Sequence, residues 1–254
     1  MKEPLAMAYV NMYGVLGTLE NLCAMDRQAK EILQSLKKPV ALCLSVKGGP
    51  CCTFRFSQDG CQMTPGPEGC TCKMHFASPE KFNALIDSGK PGLPAKHPVQ
   101  LLSFLLGPFT KLTDRLTQLL RPDPSAMEDP DFFTESTILT MYTIAGAISA
   151  LANTDSISKI SASYTVDGEV SLGIRGAAQV TILVENHRFT TVKAPAQHPR
   201  AVMEFDSVKL AHGLFTGQVS TINALCSGSI RLRGMISMVD NINRILDRVS
   251  AYLA

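Results

Sequence analysis

The chain repeats itself at a constant spacing, and this repeat limits the architecture before any local structure is read. Met12-Tyr13, Gly17, Leu22 and Asp26 recur as Met141-Tyr142, Gly146, Leu151 and Asp155, each pair 129 positions apart. The same offset of 129 returns far downstream, at Phe76 and Ser78 against Phe205 and Ser207. Asp114-Arg115 echoes Asp247-Arg248 at an offset of 133. Short matches arise by chance, but one offset held over so much chain points to a duplication. The sequence then divides into a first domain over 1–124 and a second over 130–254. Between them Arg121–Pro130 carries three prolines among acidic residues, which reads as a short, stiff linker.

Each half shows the same order of elements. A helix comes first, over about 4–36 and over 134–152. Strand-like runs follow at Pro39–Val46, Cys51–Ser57, Cys61–Thr64 and Cys72–Phe76 in the first half. In the second they are Ser161–Val166, Val170–Arg175, Gln179–Glu185, Phe189–Val192 and Ala201–Phe205. Turn residues separate them, Asp59-Gly60 and Asp167-Gly168 most clearly, as in an antiparallel meander. Apolar helices close each half. Ser78 caps one over Glu80–Ser88, and 99–120 forms another broken near Gly107-Pro108. In the second half 208–215, 218–226 and 236–253 are helical. The expected fold class is α+β: two tandem domains, each an antiparallel-rich sheet of about five strands covered by helices.

The end of the second half carries a recognisable run. Met203-Glu204-Phe205-Asp206-Ser207 leads into Leu214-Phe215-Thr216-Gly217, and then Ala224-Leu225-Cys226-Ser227-Gly228-Ser229-Ile230-Arg231-Leu232-Arg233-Gly234. This run resembles the sterol carrier protein type-two family of lipid-transfer domains. There it joins a short helix to an amphipathic helix that closes an apolar pocket, here Met238–Leu253. The first half matches through the repeat, in Phe76, Ser78, Phe82 and Gly89-Lys90. It departs at 91–98 and lacks the run corresponding to Ser227–Gly234. The resemblance implies a non-enzymatic carrier of a fatty acyl, sterol-like or other lipid, without a cofactor.

The apolar residues at the end of the chain give that implication a physical counterpart. Leu210, Leu214, Phe215, Ile222, Leu225, Ile236, Ile242, Ile245 and Leu246 offer more apolar surface than three short helices need against one sheet face. They are the expected ligand-binding residues, between the sheet and the C-terminal helices. An acyl chain of about sixteen carbons gains on the order of 12 kcal/mol gross on burial. Association costs of roughly 4–15 kcal/mol leave the modest affinity a carrier needs to release its cargo.

Seven of the eight cysteines fall in the first half, five of them within 22 residues. Three readings stay open: buried thiols serving as small hydrophobes, disulfides, or a soft-metal or thiol-redox site built from Cys51, Cys61, Cys70 and Cys72. Regular strand geometry sends Cys51 and Cys52 to opposite faces. The five histidines show no metal-ligand spacing, and no phosphate loop, dinucleotide fingerprint or nucleophile elbow is present. With net charge +2 and no basic cluster interleaved with aromatics, nucleic acid is not an expected partner. Leu5–Leu19 could pass for a signal sequence, but its repeat-mate lies inside the chain; no apolar run reaches a membrane-spanning length. Expected partners are therefore a hydrophobic small molecule or lipid in the cytoplasm, with no stable membrane insertion. A structural homodimer built on the apolar helices is the third reading.

Overall fold

The computed structural model describes residues 2–88 and 99–253, so Gly89-Lys90 and the divergent segment 91–98 lie outside the described residues. The chain divides into two compact units, Met1–Glu128 and Asp129–Ala254.

In the first unit the helix expected over 4–36 is interrupted. α1 (Pro4–Tyr9) runs into a π-helical turn, Val10–Val15, and a 3-10 turn, Leu16–Thr18, before α2 (Leu19–Met25). Inside this stretch the Thr18 hydroxyl donates to the Gly14 carbonyl at 2.6 Å, competing with the backbone ladder. Asp26 then ends α2 in extended conformation and caps α3 (Arg27–Gln34), accepting from the Ala29 amide at 2.6 Å. Strands β1 (Val40–Val46), β2 (Cys51–Ser57), β3 (Gly60–Pro65) and β4 (Cys72–Phe76) form one sheet in the order β3-β2-β1-β4. The unit is completed by α4 (Pro79–Ser88), α5 (Val99–Phe104) and α6 (Thr110–Leu120). A π-helical turn at Leu105–Phe109 joins α5 to α6 around Pro108, which has no N–H for a regular ladder.

The second unit opens with α7 (Pro130–Thr154), capped by Asp129, and α8 (Ser158–Ser163). Its strands β5 (Gly168–Ile174), β6 (Ala178–Glu185), β7 (Arg188–Val192), β8 (Pro199–Phe205) and β9 (Ile230–Gly234) lie in the order β7-β6-β5-β8-β9. α9 (Val208–Phe215), α10 (Thr221–Cys226) and α11 (Ile236–Leu253) complete it.

Both sheets are mixed, not pure meanders. β1 pairs β4 in parallel, and β5 pairs β8 in parallel, while the other pairings are antiparallel. The chain reaches the far side by crossing the sheet's outer face. The Thr53 hydroxyl donates to the Gly66 carbonyl at 2.7 Å, and Thr181 donates to Ala194 at 2.8 Å, holding each crossing segment down. Two strand expectations fail in compensating ways. Ser161–Val166 belongs to α8 and the turn after it: Asp155 accepts from the Ser158 amide, and Ser158 and Ala162 bury one turn apart. The fifth strand is instead β9, whose alternation of Ile230 and Leu232 with Arg231 and Arg233 is of period two. Among the described residues the first sheet has four strands, short of the five expected.

The two units share contacts as well as letters. Tyr13 donates its hydroxyl to the Cys51 carbonyl at 3.1 Å, and Tyr142 to that of Gln179 at 3.4 Å. Arg115 grips Asp26 through Nε at 3.0 Å and Nη2 at 2.6 Å, as Arg248 grips Asp155 through Nε at 3.3 Å and Nη2 at 3.0 Å. Arg248 is thus an internal anchor, although its place near a helix end reads as surface. Edge strands are answered by helix side chains, which blunts their pairing capacity. Glu20 accepts from the Met63 amide at 2.6 Å, and the Asn153 amide group pairs with both the carbonyl and the N–H of Phe189.

Candidate functional site

Alternation along the second sheet puts Val170 and Leu172 of β5, Ile182 of β6 and Met203 of β8 on its inner face, with Val170 opposite Ile182 and Leu172 opposite Met203. Over them lie Ile148 of α7 and Val239, Ile242 and Leu246 of α11, the last three at helical spacing on one face. These eight side chains enclose an apolar cavity of about 10 Å³, the room one water needs, but with no polar partner to hold one. Sites for small organic ligands run to roughly 300 Å³ or more, so this one is closed.

α11 is fastened at one end. Asp155 is fully buried and accepts from Tyr252 Oη at 2.8 Å, Arg248 Nη2 at 3.0 Å, the Ser158 amide at 2.9 Å and the Ser158 hydroxyl at 2.8 Å. Burial alone would push this carboxyl up; Arg248 and the Ser158 and Tyr252 donors outweigh it and hold the group well below the usual carboxylate range. The other end of α11 starts at Ile236, which is 57% exposed. The last turns of the helix are therefore tied by hydrogen bonds to a buried carboxylate, whereas the first turns are held by apolar packing through Met238 and Val239.

Of the nine expected ligand-binding residues, Ile242 and Leu246 line this cavity. Ile245 is buried; Leu210, Leu214 and Phe215 are half-buried; Ile222, Leu225 and Ile236 are exposed. Phe215 packs edge-on against Phe205, with ring centroids 5.6 Å apart. The strand residues Val170, Leu172, Ile182 and Met203, and Ile148 on α7, were not expected at the site; period-two alternation was the signal that marks the strand positions. His212 is half-buried against Phe133, the rings 4.7 Å apart, and burial lowers its pKa. Its ring protons are expected to titrate below the ordinary histidine range by NMR, and the Phe133→Ala variant should move that titration back up.

The sheet of the first unit separates the expected metal ligands. Cys61 of β3 and Cys72 of β4 share the inner face with Cys52, whereas Cys51 points to the outer face with Cys43. Cys70 precedes β4. Among the described residues no group of three or more His, Cys, Asp or Glu side chains is placed to hold a metal ion. Burial pushes the Cys72 thiol up to about 11, with Cys70 adding to it. Cys23, Cys43, Cys52, Cys61 and Cys72 are buried, Cys51 and Cys70 half-buried, and Cys226 exposed. A thiol reagent added to the native chain is expected to label Cys226 first and to reach the five buried thiols only on unfolding; fast labelling of all eight would contradict this packing.

Among the described residues no helix is long and apolar enough to cross a membrane. No protein-family model matches the chain, and no curated protein does. Among solved structures, the UbiJ-SCP2 ubiquinone synthesis protein is similar at 14% identity and a TM-score of 0.32, over 42% of this chain and 94% of that one. A sterol carrier protein 2 is similar at 17% identity and a TM-score of 0.32, over 43% of this chain and 92% of that one. Likeness at this level names neither a ligand nor an activity.

Proposed function

We propose that the chain is a non-enzymatic carrier or sensor of an elongated apolar molecule, held in its second unit between the sheet and helices α7 and α11. The observation that carries this reading is the purely apolar seam under α11, whose last turns are tied to Asp155 by hydrogen bonds while its first turns rest on apolar packing through Met238 and Val239. A ligand of acyl-chain size enters by lifting the first turns of α11 while Arg248 and Tyr252 stay on Asp155. Gross burial on the order of 12 kcal/mol for about sixteen carbons is the driving force, set against the cost of association and the parting of those apolar contacts. The repeated tyrosine, threonine and aspartate–arginine contacts support a second element of the reading, that the two units are copies of one sterol-carrier-like domain, over about 1–124 and 130–254. Native mass spectrometry of the full chain tests the main claim. A retained apolar small molecule, or saturable uptake of a fluorescent fatty acid, is expected; Kd weaker than about millimolar for every lipid class tried would leave the seam as plain core.

A further inference from the structure

The outer face of the first sheet holds two thiols in contact. Cys43 faces Thr53 across the β1–β2 ladder and Cys51 faces Ser45, so the two cysteines are diagonal neighbours on one face. Their sulfurs lie 3.7 Å apart. Cys43 is completely buried, whereas Cys51 is half-buried. The segment that crosses this face is tied down around them. Thr53 donates to the Gly66 carbonyl, Arg55 donates to Glu68 at 2.6 Å, and the Thr71 hydroxyl bonds both the amide and the carbonyl of Ala41. The second unit keeps the tied crossing, through Thr181 and Ala194, but has Ser171 and Gln179 at the corresponding ladder positions. The fold does not need the thiols.

We infer that Cys43 and Cys51 are a redox modification site, oxidised to an intramolecular disulfide by a low-molecular-weight disulfide. The half-buried Cys51 loses its proton to solvent and attacks one sulfur of the reagent. The reagent's S–S bond breaks, and one small thiol leaves with the electron pair and takes up a proton. Cys43 then gives up its proton and attacks the Cys51 sulfur of the mixed disulfide, releasing the second small thiol. Two protein thiols are oxidised by two electrons and one small disulfide is reduced to two thiols. Burial and the neighbouring Cys51 push the Cys43 thiol up to about 12, so Cys43 rests protonated until Cys51 has reacted.

The test treats the native full chain with oxidised glutathione and follows it by intact mass and by peptide mapping under non-reducing conditions. In the wild type the peptides carrying Cys43 and Cys51 are expected to be joined and two hydrogens lighter, with no glutathione on either, whatever adduct the exposed Cys226 takes up. Cys43→Ala should stop at a stable glutathione adduct on Cys51. Cys51→Ser, a half-buried replacement that leaves the core thiols in place, should give no disulfide at Cys43. A wild type that stays fully reduced, that keeps glutathione on Cys51 with Cys43 free, or that forms its disulfide through Cys70 instead, would overturn the assignment.

Discussion

Replacing Arg248 by methionine is expected to destabilise the second unit by roughly 3–5 kcal/mol, because it leaves the Asp155 carboxylate buried without its cation. Asp155 is fully buried, and the Arg248 side chain is only 19% exposed. Arg244→Met on the same helix is the control. Arg244 pairs with Asp240 at 3.0 Å, but both side chains are more than half exposed, and such a surface pair contributes about 1 kcal/mol at most. Urea unfolding of the full chain measures the difference as a shift in midpoint at constant slope. Equal shifts for the two variants would mean that α11 is not held by this contact.

The sign of the pH dependence follows from the same carboxyl. Its pKa is depressed on folding, so its contribution is whole above the unfolded value of about 4 and drains away as pH falls through the lower folded value. Asp155→Asn should remove that acid-side loss along with the stability itself. It also weakens the hydrogen bonds to Ser158 and Tyr252, so its cost should be at least as large as that of Arg248→Met.

Much of this arrangement was legible as letters and not as roles. The repeat marks Asp26, Asp155, Arg115 and Arg248, yet each aspartate and its arginine lie far apart along the chain, and only the tertiary fold brings them together. Ser161–Val166 alternates like a strand, but the Asp155 cap and the burial of Ser158 and Ala162 decide for a helix, a tertiary effect that overrides a short local pattern. Ile230–Gly234 shows the opposite. Its alternation is plain, and reading it as a linking motif hid the strand. Helical spacing found Ile242 and Leu246 because α11 is long and one-sided. It could not rank Ile222 or Leu225, because a six-residue helix has no face long enough to say which apolar side has a partner.

Binding should separate the two groups of candidate residues. Val239→Phe places a ring in a seam that now has room for one water, and is expected to weaken uptake of a fluorescent fatty acid by about tenfold or more. The overpacking costs on the order of 1–3 kcal/mol of stability, which leaves a folded protein to assay. Ile242→Asp should abolish uptake and unfold much of the unit as well, since an unpaired charge there has no hydrogen-bonding partner among Ile148, Val170, Leu172 and Met203. Ile222→Glu changes a side chain that is 72% exposed and should alter neither stability nor uptake. The three variants together locate the ligand. If Ile222→Glu destroyed binding while Val239→Phe left it intact, the apolar molecule would sit against α10 and not beneath α11. The expected result, loss with Val239→Phe and none with Ile222→Glu, requires the first turns of α11 to part from the sheet on loading. Amide exchange from Ile236 to Ile242 should then change when lipid is bound, because the ligand takes the place of the apolar contacts that these turns make with the sheet, while exchange near Tyr252 stays unchanged.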